Sequence, residues 1–130
     1  MTLNSEKKTV QKNQKICYDF LSAPENYEKL MPESVEKFEL NPDGGFVFQL
    51  KGMPEIALQK KEKHPLHRVV WESANDKFDF SLSVNIREVA PDRSEIQFLF
   101  EGAFNAMMTM MIKKPLKKFI QTLSENLDTI

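Results

Sequence analysis

Few residues in this 130-residue chain have the type and spacing to do chemistry. His64 and His67 flank the turn KHPLH, three positions apart, and two imidazoles could meet one metal ion there. No cysteine or carboxylate cluster completes a four-ligand set, so the pair reads as a solvated turn. Cys17 has no histidine or acid near it in sequence and reads as a small buried hydrophobe rather than a nucleophile. Glu72, Asp79 and Glu101 adjoin aromatic residues, and a carboxylate held in an apolar pocket can serve as a general base. Each alternates out of phase with its apolar neighbours Trp71, Phe78, Phe80 and Phe100, which puts all three on the wet face of their strands. GxSxG, HExxH, P-loop and dinucleotide motifs are absent. The expectation is therefore no catalytic residue, no metal and no cofactor, which leans away from an enzyme.

The most unusual stretch is NAMMTMMIKKPLKKFI, residues 105–120. On a helix with Met108 set at zero, Phe119, Ile112, Leu116 and Ile120 fall at about 20° to 120° and form one apolar stripe. Met111, at about −60°, is assigned with Met108 to the inner margin of that stripe. Met107 and Met110 project to the other side, together with Lys114, Lys117 and Lys118. Lys113 completes a basic cluster with no acid between residues 102 and 124. Pro115 removes one helix hydrogen bond and crowds the carbonyl of Met111, so one kinked helix is expected.

Composition limits the partners. Eighteen basic against nineteen acidic side chains leave a net charge of −1, which offers no global field for nucleic acid. No run approaches the ~20 apolar residues of a membrane span, and MTLNSEKKTV lacks the apolar core of a signal peptide. One cysteine excludes an internal disulfide and suits a reducing compartment. A cytoplasmic protein of one domain, residues 1–130, is expected, large enough to bury roughly 65–70% of its unfolded surface.

The elements that must position these residues are legible in the periodicity. Leu3 and Val10 are the strong hydrophobes of a short edge strand. Asn13 is a fitting N-cap for a helix from Gln14, with Ile16, Cys17, Phe20 and Leu21 as its stripe, and Pro24 ends it and opens a second short helix. From Val35 the period becomes two, through SVEKFEL, FVFQL, EIALQKK, RVVWES, KFDFSLSVNI and EIQFLFEG, separated by turn signals such as NPDGG and APDRS. A long helix follows from about Asn105. A curved antiparallel sheet of about seven strands with one apolar face needs a cover, and this helix is the available one.

This order, with FLSAPENYEKLMP after the first strand and FNAMMTMMIKKPLKKFIQTLSENL at the end, resembles the START-like superfamily, the polyketide cyclase and lipid-transport group with the helix-grip fold. The resemblance covers nearly the whole chain and points to its small bacterial members. It implies an apolar ligand held between the last helix and the sheet.

In an antiparallel meander the turns alternate between two ends. One end collects LMP, GMPE, SAND and FNAMM, which would bring Met31, Met53 and Met107 together beside Leu50, Ile56, Trp71, Phe78, Phe80 and Phe100. With Met108, Met111 and Ile112 of the last helix these form the expected ligand-binding set, since methionine adapts to varied apolar surfaces. The leading expectation is binding of an apolar or amphipathic small molecule. The alternative is a protein-interaction module, chaperone-cofactor-like or homodimeric, using Met110, Lys113, Lys114, Lys117 and Lys118, a face that also suits weak contact with an anionic membrane surface. A cyclase or dehydratase ranks last, because the alternation offers no polar residue pointing inward.

Overall fold

The computed structural model describes residues 1–64, 66–74 and 79–130, with the side chains of residues 62–64 left aside. Its order is β1 (Thr2–Asn4), β2 (Lys8–Val10), α1 (Gln14–Ser22), a 3₁₀ segment (Pro24–Leu30), β3 (Val35–Leu40), β4 (Phe46–Leu50), β5 (Ile56–His64), β6 (Arg68–Ser73), β7 (Asp79–Ala90), β8 (Arg93–Ala103), α2 (Ala106–Glu125) and a terminal 3₁₀ turn (Asn126–Thr129). The strands form one antiparallel sheet in the order β1-β8-β7-β6-β5-β4-β3, with β2 also on β8. The described architecture is α+β, a curved sheet gripped by a long C-terminal helix.

The expected first strand is two strands, for a reason visible in the register. Asn4 pairs with Leu99, but Lys8 pairs with Ile96, so the N-terminal segment carries one residue more than its partner. That is a β-bulge. Leu3 and Val10 lie seven positions apart and would face opposite sides of an unbroken strand; the extra residue brings both to the inner face, where both are buried. Buried Ser5 bridges the break. Its N–H donates to Phe98 O, and its Oγ accepts from Phe98 N, both at 2.9 Å.

Both helix starts are capped by asparagine. Asn13 Oδ1 accepts from Ile16 N at 2.9 Å and Asn105 Oδ1 from Met108 N at 2.8 Å. In α1 Cys17 and Leu21 are buried, whereas Ile16, assigned to the same stripe, is 45% exposed. One apolar neighbour of a narrow seam is left outside it. Strand β7 runs four residues beyond the expected Ile86, to Ala90, because the turn into β8 uses only residues 91 and 92. At NPDGG, Gly44 takes a φ of 92°, a left-handed conformation suited to glycine.

Helix α2 is continuous through Pro115. Its buried residues Phe119, Ile112, Leu123, Leu116, Ile120 and Ser124 span about 20° to 160° on the helical wheel. Met111, at about −60°, lies well outside that sector and is 62% exposed, which corrects its assignment to the inner face. Met107 and Met110 are 74% and 83% exposed. The lysines 113, 114, 117 and 118 are exposed as well.

Candidate functional site

The first half of α2 crosses the end of the sheet where β4 turns into β5 and where β8 turns into the helix. Between them lies an apolar recess lined by Met53, Pro54, Glu55, Ile56, Phe80, Phe100, Phe104, Met108, Ile112 and Leu116. Glu55, its charged member, pairs with Lys37 at 2.9 Å. The free space is only about 20 Å³, which is close to the room one water molecule needs. Three rings account for the filling. Phe80 and Phe100 stack at 5.5 Å, and Phe104 lies against both at 6.3 and 6.5 Å.

Of the residues expected here, Met53, Ile56, Phe80, Phe100, Met108 and Ile112 line the recess. Met31, Leu50 and Trp71 are buried but do not line it. Met107 and Met111 project into solvent, and Phe78 falls outside the described residues. Phe104 was missed. The signal for it was present: the inward positions 96, 98 and 100 continue to Gly102 and Phe104, and the glycine hid the continuation.

Trp71 instead anchors a second cluster beneath α1. Its Nε1–H donates to the Tyr27 hydroxyl at 3.0 Å, and that hydroxyl donates to Leu21 O at 2.8 Å. Lys60 follows Ile56 and Leu58 in phase and pairs with Trp71 across the β5–β6 ladder. It is, like buried Ser94 on β8, an inward-phase polar residue of the kind the alternation was expected to lack. Its ammonium donates to Ser22 O and sits 5.3 Å from the Trp71 ring, away from the recess. A helix-terminal carbonyl and an aromatic face are good partners for a cation.

Burial raises the Tyr27 phenol pKa above its ordinary 10.0, with the Trp71 N–H acting in the opposite direction. In the unfolded chain the phenol ionises near its ordinary value, so above about pH 10 the unfolded state binds fewer protons than the folded one. Stability must then fall as pH rises, by at most about 1.4 kcal/mol per pH unit. Urea midpoints taken from about pH 8 to about pH 11.5 should drop more steeply for the native chain than for Tyr27→Phe; parallel curves would contradict a neutral, sequestered phenol.

The remaining candidates for chemistry stand apart. Cys17 is buried, and burial pushes its thiol pKa up, with Ser94 and Lys12 opposing. Glu72, Asp79 and Glu101 line an open groove on the outer face of the sheet, where Lys61 lies 3.6 Å from Glu72. Lys114, Lys117 and Lys118 border a groove of about 580 Å³ that Glu6 and Glu125 share, so its charge is mixed. Among the described residues no group of three or more His, Cys, Asp or Glu could hold a metal ion, and no helix is long and apolar enough to cross a membrane.

These elements make a START-like, polyketide-cyclase-like fold. A START superfamily protein from Mycobacterium smegmatis matches with a TM-score of 0.66 at 12% identity, over 98% of this chain and 94% of that one. A Thalictrum flavum norcoclaurine synthase point mutant, solved with a transition-state analogue, matches with a TM-score of 0.71 at 12% identity, over 99% and 95%. The di-domain ARO/CYC BexL from the BE-7585A biosynthetic pathway matches with a TM-score of 0.67 at 8% identity, over 98% of this chain and 46% of that one. Identities this low establish a shared fold. No protein-family model matches the chain, and no curated protein matches its sequence.

Proposed function

We propose that this protein binds an apolar or amphipathic small molecule between the first half of α2 and the end of the sheet. The observation that carries this reading is the recess itself: an apolar hollow at the mouth of the grip, walled by the adaptable side chains Met53 and Met108. With about 20 Å³ free, a guest enters only as side chains give way. The neighbouring fold matches are consistent with such a role, as is the expectation that the chain works in the cytoplasm. Organic extraction of natively purified protein, followed by mass spectrometry, is expected to recover one apolar compound reproducibly. Repeated preparations without such a compound, together with no thermal shift on adding fatty acids or aromatic hydrocarbons, would sink the reading.

A second reading is favoured by the three exposed methionines. Met107, Met110 and Met111 form an apolar face on α2 beside Lys113 and Lys114, and patches of this kind mark interaction surfaces. Self-association through that face predicts a concentration-dependent sedimentation coefficient, abolished when all three methionines are changed to serine. A single monomeric species at every concentration would remove it. Co-sedimentation with anionic liposomes that survives changing the four lysines to glutamine would remove electrostatic membrane contact.

A further inference from the structure

Phe104 occupies an unusual position. The inward alternation of β8 runs Ile96, Phe98, Phe100, and the next inward place is Gly102, which has no side chain to fill it. The ring of Phe104 fills it instead. A Cβ built on Gly102 would stand 2.3 Å from Phe104 Cε2 and 2.9 Å from Cζ, so only glycine lets the ring lie there. Phe104 belongs to the short connector between β8 and α2, outside the ladder, and is half-buried. The buried rings of Phe80 and Phe100 sit within paired strands. Its plane is nearly parallel to Phe100, at 7°, and 24° from Phe80.

We propose that Phe104 is a displaceable plug, seated by Gly102, and that the guest which replaces it is flat and aromatic, about one or two rings in size. This rests on the binding reading above and narrows it. The slot between α2 and the Phe80–Phe100 pair is already shaped by a planar ring. Moving that ring outward costs less than moving Phe80 or Phe100, because its backbone lies in a connector and it is only half-buried. An apolar cavity vacated by a ring-sized group stays dry and accepts a planar aromatic, as benzene enters an engineered cavity of about 150 Å³ in another protein. A flexible alkyl chain would lose rotamer freedom in the same slot and gain no ring stacking.

Two substitutions test the plug from opposite sides. Gly102→Ala retains the ring but pushes it out, since the atoms it meets are the far end of the Phe104 side chain. Phe104→Ala removes the ring altogether. Indole and 1-octanol serve as the flat and the flexible probe, with methyl NMR of Met53, Ile56, Met108 and Ile112 reporting whether each enters the recess. Both variants are expected to bind indole roughly fivefold or more tightly than the native chain, the inverse of the unplugged fraction. The double variant should bind no more tightly than Phe104→Ala, because Gly102 acts through the ring. Octanol, which needs the same slot, should gain by a similar factor but bind Phe104→Ala more weakly than indole does. Recess methyls that respond to indole with one Kd in all four proteins would overturn the plug and leave the binding reading intact. No recess response to either probe, even in Phe104→Ala, would overturn both. Octanol binding Phe104→Ala as tightly as indole would overturn the flat-guest assignment. Gly102→Ala keeps every recess side chain, so it supplies the comparison if Phe104→Ala does not fold.

Discussion

Replacing Trp71 with alanine is expected to cost about 3–5 kcal/mol of folding stability, the range for emptying a large aromatic site in a core. The ring is fully buried and stands edge-on to Tyr27 at 5.4 Å and to Phe46 at 5.1 Å. Its loss also leaves the Tyr27 hydroxyl without the indole donor and removes the aromatic face beneath the Lys60 ammonium. Trp71→Phe should fall between, losing about 1–2 kcal/mol, since a ring remains but the N–H does not. Far-UV circular dichroism is the appropriate readout in urea, because Trp71 is the sole tryptophan and fluorescence would vanish with it. A loss under about 1 kcal/mol for Trp71→Ala would mean that this cluster is not packed as described.

Phe119→Ala should be comparably severe, about 3–5 kcal/mol, and should loosen the grip itself. Phe119 stacks on Phe48 of β4 at 4.8 Å with the planes 15° apart, which fastens the second half of α2 across the sheet. Leu116 and Ile112 lie one and two turns before it on the same side. Met111→Ala, on the exposed side of the same helix, should stay within about 0.5 kcal/mol of the native chain. The contrast separates burial from mere membership of an apolar stretch. Equal costs for the two changes, read from urea midpoints at constant slope, would contradict the helical phase seen here.

Much of this architecture was legible beforehand because it rests on local rules. The Asn13 cap, the proline break at Pro24 and the period-two runs of β4, β7 and β8 each follow from backbone geometry within a few residues. The alternation of turns between two ends likewise places GMPE, Phe80, Phe100 and the start of α2 together. The recess was legible in part for the same reason: six of the residues expected at that end line it. Leu50, Trp71 and Met31 were grouped with them only because one end of a sheet is several strands wide. Position along that end, which the strand pairing sets, decided that Trp71 packs against Tyr27 instead.

What the sequence determined alone, then, was the succession of elements from α1 onward, the inner faces of β4, β7 and β8 and the central apolar stripe of α2, since these are properties of period and capping. The tertiary structure decided the rest. The bulge at Ser5 depends on β8 as its partner. The exposure of Met111 depends on how wide a sector of α2 the sheet can cover. The inward course of Lys60 depends on a helix end above it to accept its charge. Phe104 reaches the recess only because Gly102, two residues earlier, leaves a place that a ring from the adjoining connector can fill. Each of these is a contact between segments distant in sequence or out of regular phase, and no local periodicity encodes it.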